Sequence, residues 1–238
     1  MSNFSRRKLL ATAAGASGVA VAATLANQYG LLPPQHHGLY SPGDSLTYAA
    51  QRLLTRHSLA REFPRSQISN TPFANELGPL GDDFKRLQGD GWRLAIDGMV
   101  ARPTSLSLAE LKSYPSRSQI TRLACEEGWS FIAEWTGVPL SHVLDVVGIS
   151  PGAKWIVYSS IQRGWQDSID MADALHPQTL LTYGMNGGEL PVGHGGPLRM
   201  RVPRQLGYKS VKFITRLTVT DNPKDLPPAG DYSWYAGI

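Results

Sequence analysis

Cysteine is the scarcest residue in this 238-residue chain, with a single copy at Cys125. One thiol closes no internal disulfide and is too few for an iron–sulfur cluster, and no C-x-x-C-H haem attachment occurs. Acidic residues are missing over two long stretches, before Asp44 and between Glu189 and Asp221. The net charge is +4, of which Arg6, Arg7 and Lys8 supply three, so the rest of the chain carries 4 − 3 = +1. A general basic footprint for nucleic acid is therefore lacking, and no nucleic-acid partner is expected. Internal repeats and low-complexity tracts are absent too. What is there is an ordinary globular composition, 42% hydrophobic, able to bury a sizeable core in one large domain or two small ones.

The first 26 residues pair Arg6 with Arg7 in SRRKLL and continue into an uncharged Ala/Gly-rich run. That run has the length of a membrane span but little of its hydrophobicity, and the whole reads as a twin-arginine signal. Left uncleaved, it would be an N-terminal membrane anchor. The twin-arginine route resembles the export system for proteins that fold, often around a cofactor, before crossing. In an oxidising compartment a lone cysteine is better explained as occupied by such a cofactor than as free.

From Gln28 to Asp83 the sequence is rich in Pro, Arg, His and Ser, with one amphipathic helix expected within Leu46–Leu59 on Leu46, Ala49, Ala50, Leu53 and Leu54. His36, His37 and His57 lie here without partners at ligand spacing. Denser patterning begins at Trp92. Alternation of Trp92, Leu94 and Ile96 predicts a strand, and Ser107 with Glu110 has capping-box spacing for a helix over Leu108–Tyr114. Further strands are predicted over Gln119–Leu123, Trp155–Ile161, Trp165–Ile169, Leu180–Tyr183, Leu198–Val202 and Phe213–Thr220. Short helices are expected after Pro139 and over Met171–Leu175, and a turn at Asn186-Gly187. Strands outnumber helices, so the class is α+β with a mixed, largely antiparallel sheet.

Two stretches carry chemistry. Cys125 stands at a strand end, followed by Glu126, Glu127, Gly128 and Trp129; its thiol is a buried apolar filler, a nucleophile or a metal ligand. The second stretch, free of carboxylates, holds Arg199, Arg201, Arg204, Lys209, Lys212 and Arg216 beside the glycine-rich Gly193–Gly196. Such a loop suits an anion, most simply a phosphate, since glycines admit backbone N–H groups and arginine binds bidentately. A solvated basic face is the alternative.

The segments CEEGWS (Cys125–Ser130), WTGVPL (Trp135–Leu140), His176–Pro203 and LGYKSVKFI (Leu206–Ile214) together resemble the molybdopterin-binding domain of the sulfite oxidase family. The likeness runs from about Trp92 to Asp221 and is nearer to the exported branch that includes the periplasmic methionine sulfoxide reductase catalytic subunit. With the signal over 1–26 and an irregular arm over 27–85, the resemblance implies a molybdopterin-binding catalytic domain over 86–238. By the same resemblance Cys125 ligates molybdenum, one pterin supplies two more sulfurs, and Asn70, Ser160, His194, Arg199, Ser210, Val211 and Lys212 contact the cofactor. Glu127 takes the place of a glutamate near the metal. The family's sulfite-binding arginine, five residues after the cysteine, is here Ser130, which makes sulfite a poor candidate substrate. The chain ends soon after Asp221, with no room for the family's dimerising immunoglobulin-like domain, so a monomer is expected.

The expectation is a periplasmic molybdenum oxidoreductase moving an oxygen atom to or from a small sulfoxide-like substrate. Its electrons come from or go to a separate protein such as a membrane haem protein or a cytochrome. Two other readings stay open: a cell-envelope cysteine hydrolase or transpeptidase using Cys125 with His194 as base, and a cofactor-binding protein without catalysis.

Overall fold

The computed structural model describes residues 41–75, 91–162 and 164–227, with isolated positions among 21–31. The twin-arginine pair, His36, His37 and the segments 76–90 and 228–238 lie outside the described residues. Contacts divide the chain into Met1–Arg56 with Ala229–Tyr235, and His57–Pro228 with Ala236–Ile238.

In the first unit, helix α1 (Ser41–Leu54) starts earlier and ends earlier than its apolar spacing suggests. Its buried face is also different. Tyr48 and Arg52, one turn apart, are buried with the guanidinium 5.1 Å from the ring centroid, while Leu46, Leu53 and Leu54 are exposed. Cation–π contact and an apolar stem let Arg52 occupy a buried position that spacing alone reserves for leucine. Among the described residues no helix is long and apolar enough to cross a membrane.

The second unit carries ten strands among the described residues: β1 (Arg93–Gly98), β2 (Thr104–Ser107), β3 (Arg117–Ala124), β4 (Ser130–Pro139), β5 (Trp155–Ser160), β6 (Gln166–Asp170), β7 (Leu180–Met185), β8 (Gly188–Glu189), β9 (Arg199–Arg201) and β10 (Ile214–Thr220). The short helices are α2 (Leu108–Lys112), α3 (Leu140–Val147) and α4 (Met171–Ala174). One sheet has the order β2-β1-β10-β5-β6, and the other β3-β4-β7-β8 with β9 also on β7. Only β1 with β10 is parallel among these pairs, so the fold is the mixed, largely antiparallel α+β expected.

Local chemistry sets the elements. Alternation in β1 sends Leu94 and Ile96 into a core shared with Val143, Leu144, Ile156, Tyr158 and Leu217. The capping box is complete: Ser107 Oγ accepts from the Glu110 amide, and the Ser107 amide donates to Glu110 Oε2 at 2.7 Å. Asn186 and Gly187, both left-handed, turn β7 into β8.

Strand β4 is the longest element that periodicity missed, beside the short β2 and β8. Its residues are buried on both faces, and its register against β7 shifts between Thr136 and Gly137, which erases a clean alternation. A Cβ on Gly137 would lie 2.2 Å from the Leu181 carbonyl oxygen, so only glycine lets the two backbones meet. Beneath this hairpin Leu123, Phe131, Ala133, Trp135, Met185 and Leu190 form a second, smaller core.

The arm from Ala60 onward is laid against the second sheet by backbone bonds. Phe63 donates to Ile120 O at 2.9 Å, and Ser69 exchanges bonds with the Ile132 backbone at 2.9 and 3.1 Å. Gln178, fully buried, accepts from the Ala60 amide at 2.7 Å and donates to its carbonyl at 3.0 Å.

Loss of the capping hydroxyl in Ser107→Ala is expected to cost about 1 kcal/mol and lower the melting temperature by roughly 2–5 °C. Gly137→Ala, which drives a methyl into a carbonyl, is expected to cost more in the same thermal unfolding experiment. A Gly137→Ala variant as stable as the parent would show that β4 and β7 do not approach as described.

Candidate cofactor and active site

Strand β3 closes on β4 with Ala124 opposite Ser130, leaving a five-residue turn that begins at Cys125. The Cys125 amide donates to Trp129 O at 2.9 Å and the Gly128 amide to Cys125 O at 3.1 Å, with Gly128 left-handed. The thiol is buried and donates to Glu126 Oε2 at 3.3 Å. Burial pushes it up to about 11 and the Glu126 carboxylate adds to the rise, against a lowering bond from the Glu127 amide. The Glu127 carboxylate has its own partners. It accepts from the Trp129 indole at 2.7 Å and from the Asn75 side chain at 3.3 Å.

The glycine-rich loop makes a 3-10 turn over Val192–His194 and passes through Gly195 at φ 101°. A Cβ at Gly195 would meet the Lys212 side chain at 2.8 Å, so this glycine admits Lys212, whose ammonium donates to Gly193 O at 2.8 Å. Arg199 and Arg201 share one face of β9, and both guanidinium groups lie over the Trp135 ring, at 5.3 and 5.4 Å. Arg199 donates to His194 O at 2.9 Å and Ser210 O at 2.6 Å. Arg201 donates to Thr121 Oγ1 at 3.3 Å, to Arg122 O, and to Ser210 Oγ at 3.5 Å.

The solvated basic face is thereby ruled out. Arg199 is 4% exposed, Arg201 0%, Arg204 6% and Lys209 2%. The six cations fall into two groups. Arg204 lies 3.8 Å from Asp173, Lys209 2.6 Å from Asp167, and Arg216 pairs with Asp97. Arg199, Arg201 and Lys212 have no carboxylate partner among the described residues, and the Nε atoms of both arginines are buried without a hydrogen bond. Burial pushes Arg199 down to about 10; burial and the neighbouring Arg199 push Arg201 to about 9 and Lys212 to about 8. Three crowded, desolvated cations fit an anionic group, since its charge would offset that cost.

The two halves touch. A Cβ on Gly207 would come within 3.3 Å of Ala124 O and 3.4 Å of Cys125 Cα, so the chain leading to Ser210 rests on the Cys125 turn. The charge of a Cys125 thiolate also acts on Lys212, in the direction that holds its proton. Contacts thus join Cys125, Glu127, His194, Arg199, Ser210 and Lys212 into one region. Val211 is buried and accepts from the Met200 amide through its carbonyl at 3.0 Å. Ser160 ends β5 on the other sheet, opposite Ile214 and two residues from Lys212 in register. Asn70 is exposed and makes no hydrogen bond among the described residues; the arm asparagine brought to the site is Asn75, whose carbonyl also accepts from Lys212 at 3.5 Å. No spacing signal separates the two asparagines, because the arm is irregular. Among the described residues no group of three His, Cys, Asp or Glu side chains could hold a metal, so a metal at Cys125 would take its other ligands from a cofactor.

Residues 82–227 match a family model described as the oxidoreductase molybdopterin binding domain. The chain belongs to this family. Its sulfite oxidase-type character was the one expected from the Cys125 and Gly193 stretches, and its members are enzymes. A protein of Azospira oryzae provisionally named protein-methionine-sulfoxide reductase subunit YedZ1 is 37% identical over 78% of this chain and 70% of its own length. The protein-methionine-sulfoxide reductase catalytic subunit MsrP of Xanthomonas axonopodis pv. citri is 34% identical over 65% of this chain; the chain spans about half of that relative, 54%. Among solved structures the sulfane dehydrogenase SoxCD of Paracoccus pantotrophus has a TM-score of 0.54, at 23% identity, over 70% of this chain and 46% of that one. At that identity the likeness speaks for the fold of the family.

His194 is pushed down to about 4, first by burial, then by the charges of Arg199 and Lys212. Between its ordinary value near 6.5 and 4 the unfolded chain binds a proton that the folded chain refuses, so this group lowers stability as pH falls through that window. His194→Asn is expected to flatten the loss of melting temperature between pH 6.5 and 4 relative to the parent. Parallel curves for the two proteins would mean that His194 already titrates normally in the fold.

Proposed function

We propose that this enzyme is a periplasmic catalytic subunit that reduces sulfoxides, methionine sulfoxide in particular, using a molybdenum-molybdopterin cofactor. The observation that carries the reading is the junction of a buried lone thiol, Cys125, with two buried arginines, Arg199 and Arg201, and the half-buried Lys212, none of which has a carboxylate partner among the described residues. In this reading Cys125 is the protein's ligand to molybdenum. Arg199 and Lys212 take the pterin phosphate with Ser210 and Val211, and His194, Ser160 and Asn75 line the rest of the cofactor. When bound, the cofactor supplies two-electron chemistry coupled to movement of one oxygen atom.

The balanced change takes a sulfoxide, two electrons and two protons to a thioether and water. Glu127, fixed by the Trp129 indole and Asn75, is a carboxylate placed to deliver protons beside Cys125. Ser130 offers no positive charge for an oxyanion such as sulfite, which favours a neutral sulfoxide. With one cysteine and no haem motif, the chain needs an electron-transfer partner, and a membrane haem protein or a cytochrome suits an exported enzyme. Arg6-Arg7 supports export by the twin-arginine route. The relatives named as methionine-sulfoxide reductase subunits point to the same substrate class.

The cysteine hydrolase reading gains nothing from the geometry. A thiol pushed up to about 11 and bonded to a carboxylate is a poor nucleophile, and no imidazole bonds to it among the described residues.

Protein made in a molybdenum-competent host is expected to carry close to one molybdenum per chain and to reduce methionine sulfoxide with a reduced dye. Cys125→Ser exchanges a soft ligand for a hard one, so pterin content should persist while turnover falls roughly 100-fold or more. Unchanged turnover would remove Cys125 from the mechanism, and a folded protein with less than about a tenth of an equivalent of molybdenum would end the proposal.

A further inference from the structure

Four aromatic rings, Phe73, Trp129, Phe131 and His194, form a run from solvent to the glycine-rich loop, and the outermost has no use in the chemistry above. Phe73 of the arm is 53% exposed, with its centroid 4.8 Å from that of Trp129 at 56°. Trp129 stacks on Phe131 at 6.1 Å and 6°, and Phe131 meets the His194 imidazole edge-on at 5.5 Å. Trp129 is anchored twice within the Cys125 turn, its carbonyl taking the Cys125 amide and its indole donating to Glu127. Phe73 is anchored from both sides of the sequence, by Ser69 on Ile132 and by Asn75 on Glu127. A large apolar ring held open to water by fixed neighbours returns little to folding, whereas beside a reactive site it offers a surface to a ligand.

We propose that Phe73 and Trp129 are specificity-determining residues that form an apolar wall for the alkyl–sulfur part of the substrate. The wall would favour sulfoxides borne on a flexible aliphatic chain over small, compact ones. The inference rests on the sulfoxide reading and adds the part of the substrate that is recognised. Sulfur and its flanking methyl and methylene groups pack well on aromatic faces and edges, the S···ring contact being favourable in its own right. Because Phe73 is half open, the wall has a solvent side along which a peptide carrying the side chain can continue. Phe73 belongs to the arm and Trp129 to the Cys125 turn, so the wall is assembled from two separate parts of the chain.

The test compares N-acetylmethionine sulfoxide with dimethyl sulfoxide, using molybdenum-loaded full-length enzyme and a reduced viologen dye. Loss of one aromatic contact is expected to raise KM for N-acetylmethionine sulfoxide roughly three- to tenfold in Phe73→Ala, with kcat within about twofold. For dimethyl sulfoxide, kcat/KM should change by less than about twofold. Phe73→Tyr keeps the ring and should restore the parent KM. Molybdenum content is measured on every variant, so that a loading defect is read separately. If the parent enzyme reduces both substrates and Phe73→Ala alters both equally, or neither, the aromatic wall is overturned while the sulfoxide reading stands. If the loaded parent reduces neither, the sulfoxide reading itself falls and the wall with it.

Discussion

The constraint on which most of the second unit depends is the burial of Arg199 and Arg201 without a neutralising carboxylate among the described residues. Charged groups removed from water need compensation, and here it comes from carbonyl and hydroxyl oxygens and from the Trp135 face. Those contacts do structural work at several places together. Arg201 ties β9 to Thr121 and Arg122 of β3, three residues before Cys125, and to Ser210 on the following loop. Arg199 ties the same strand to His194 and Ser210. The two guanidinium groups thus fix the thiol-bearing strand, the glycine-rich loop and the Ser210 loop relative to one another, and their surplus charge makes an anion welcome at that junction.

The Ser210 loop is held from the other sheet as well. Tyr158 of β5 donates to Lys209 O at 2.8 Å, and the Lys209 ammonium reaches Asp167 at 2.6 Å and Ser168 O at 2.8 Å on β6. Lys209 and Lys212 are three residues apart, similar in type, and opposite in role. Lys209 is paired with a carboxylate and serves as an anchor, while Lys212 rests on Gly193 O, pushed down to about 8, and keeps charge available to a ligand. The site therefore lies where an ion pair from one sheet and a guanidinium clamp from the other hold a single loop.

Sequence periodicity reached the elements whose side chains alternate or whose ends carry a cap: β1, β5, β10, the Ser107–Glu110 box and the Asn186-Gly187 turn. It failed at β4, because the bulge at Gly137 and burial on both faces leave no period of two to detect. At α1 the spacing was right and the face was wrong, since a leucine stripe at helical period does not say that Tyr48 with Arg52 will be buried in its place. Around the site, the run of basic residues marked the region correctly but gave no means of sorting them. Which cation meets an aspartate depends on Asp97, Asp167 and Asp173, each at least 31 residues away in sequence from its partner. Asn75 and Phe73 were illegible for a related reason: an irregular arm has no internal pattern, and its register is set by bonds to Ile120, Ile132 and Gln178 on the sheet.

That sorting has an energetic consequence. An anion held by Arg199, Arg201 and Lys212 would bind the folded chain and not the unfolded one, because the cations are gathered only by the fold. Its binding free energy would then appear as stability, and the unfavourable crowding of like charges would be converted into affinity. The same argument separates the two kinds of residue at the site. Cys125 contributes little electrostatic attraction as a thiol pushed up to about 11, and becomes an anion only when something replaces its proton. A thiolate at Cys125 favours the protonated form of Lys212, so loss of the proton at the sulfur and retention of charge at the clamp are coupled. Gly207, whose missing side chain lets the Ser210 loop rest on Cys125, is the structural element that brings these two partial charges close enough to cooperate.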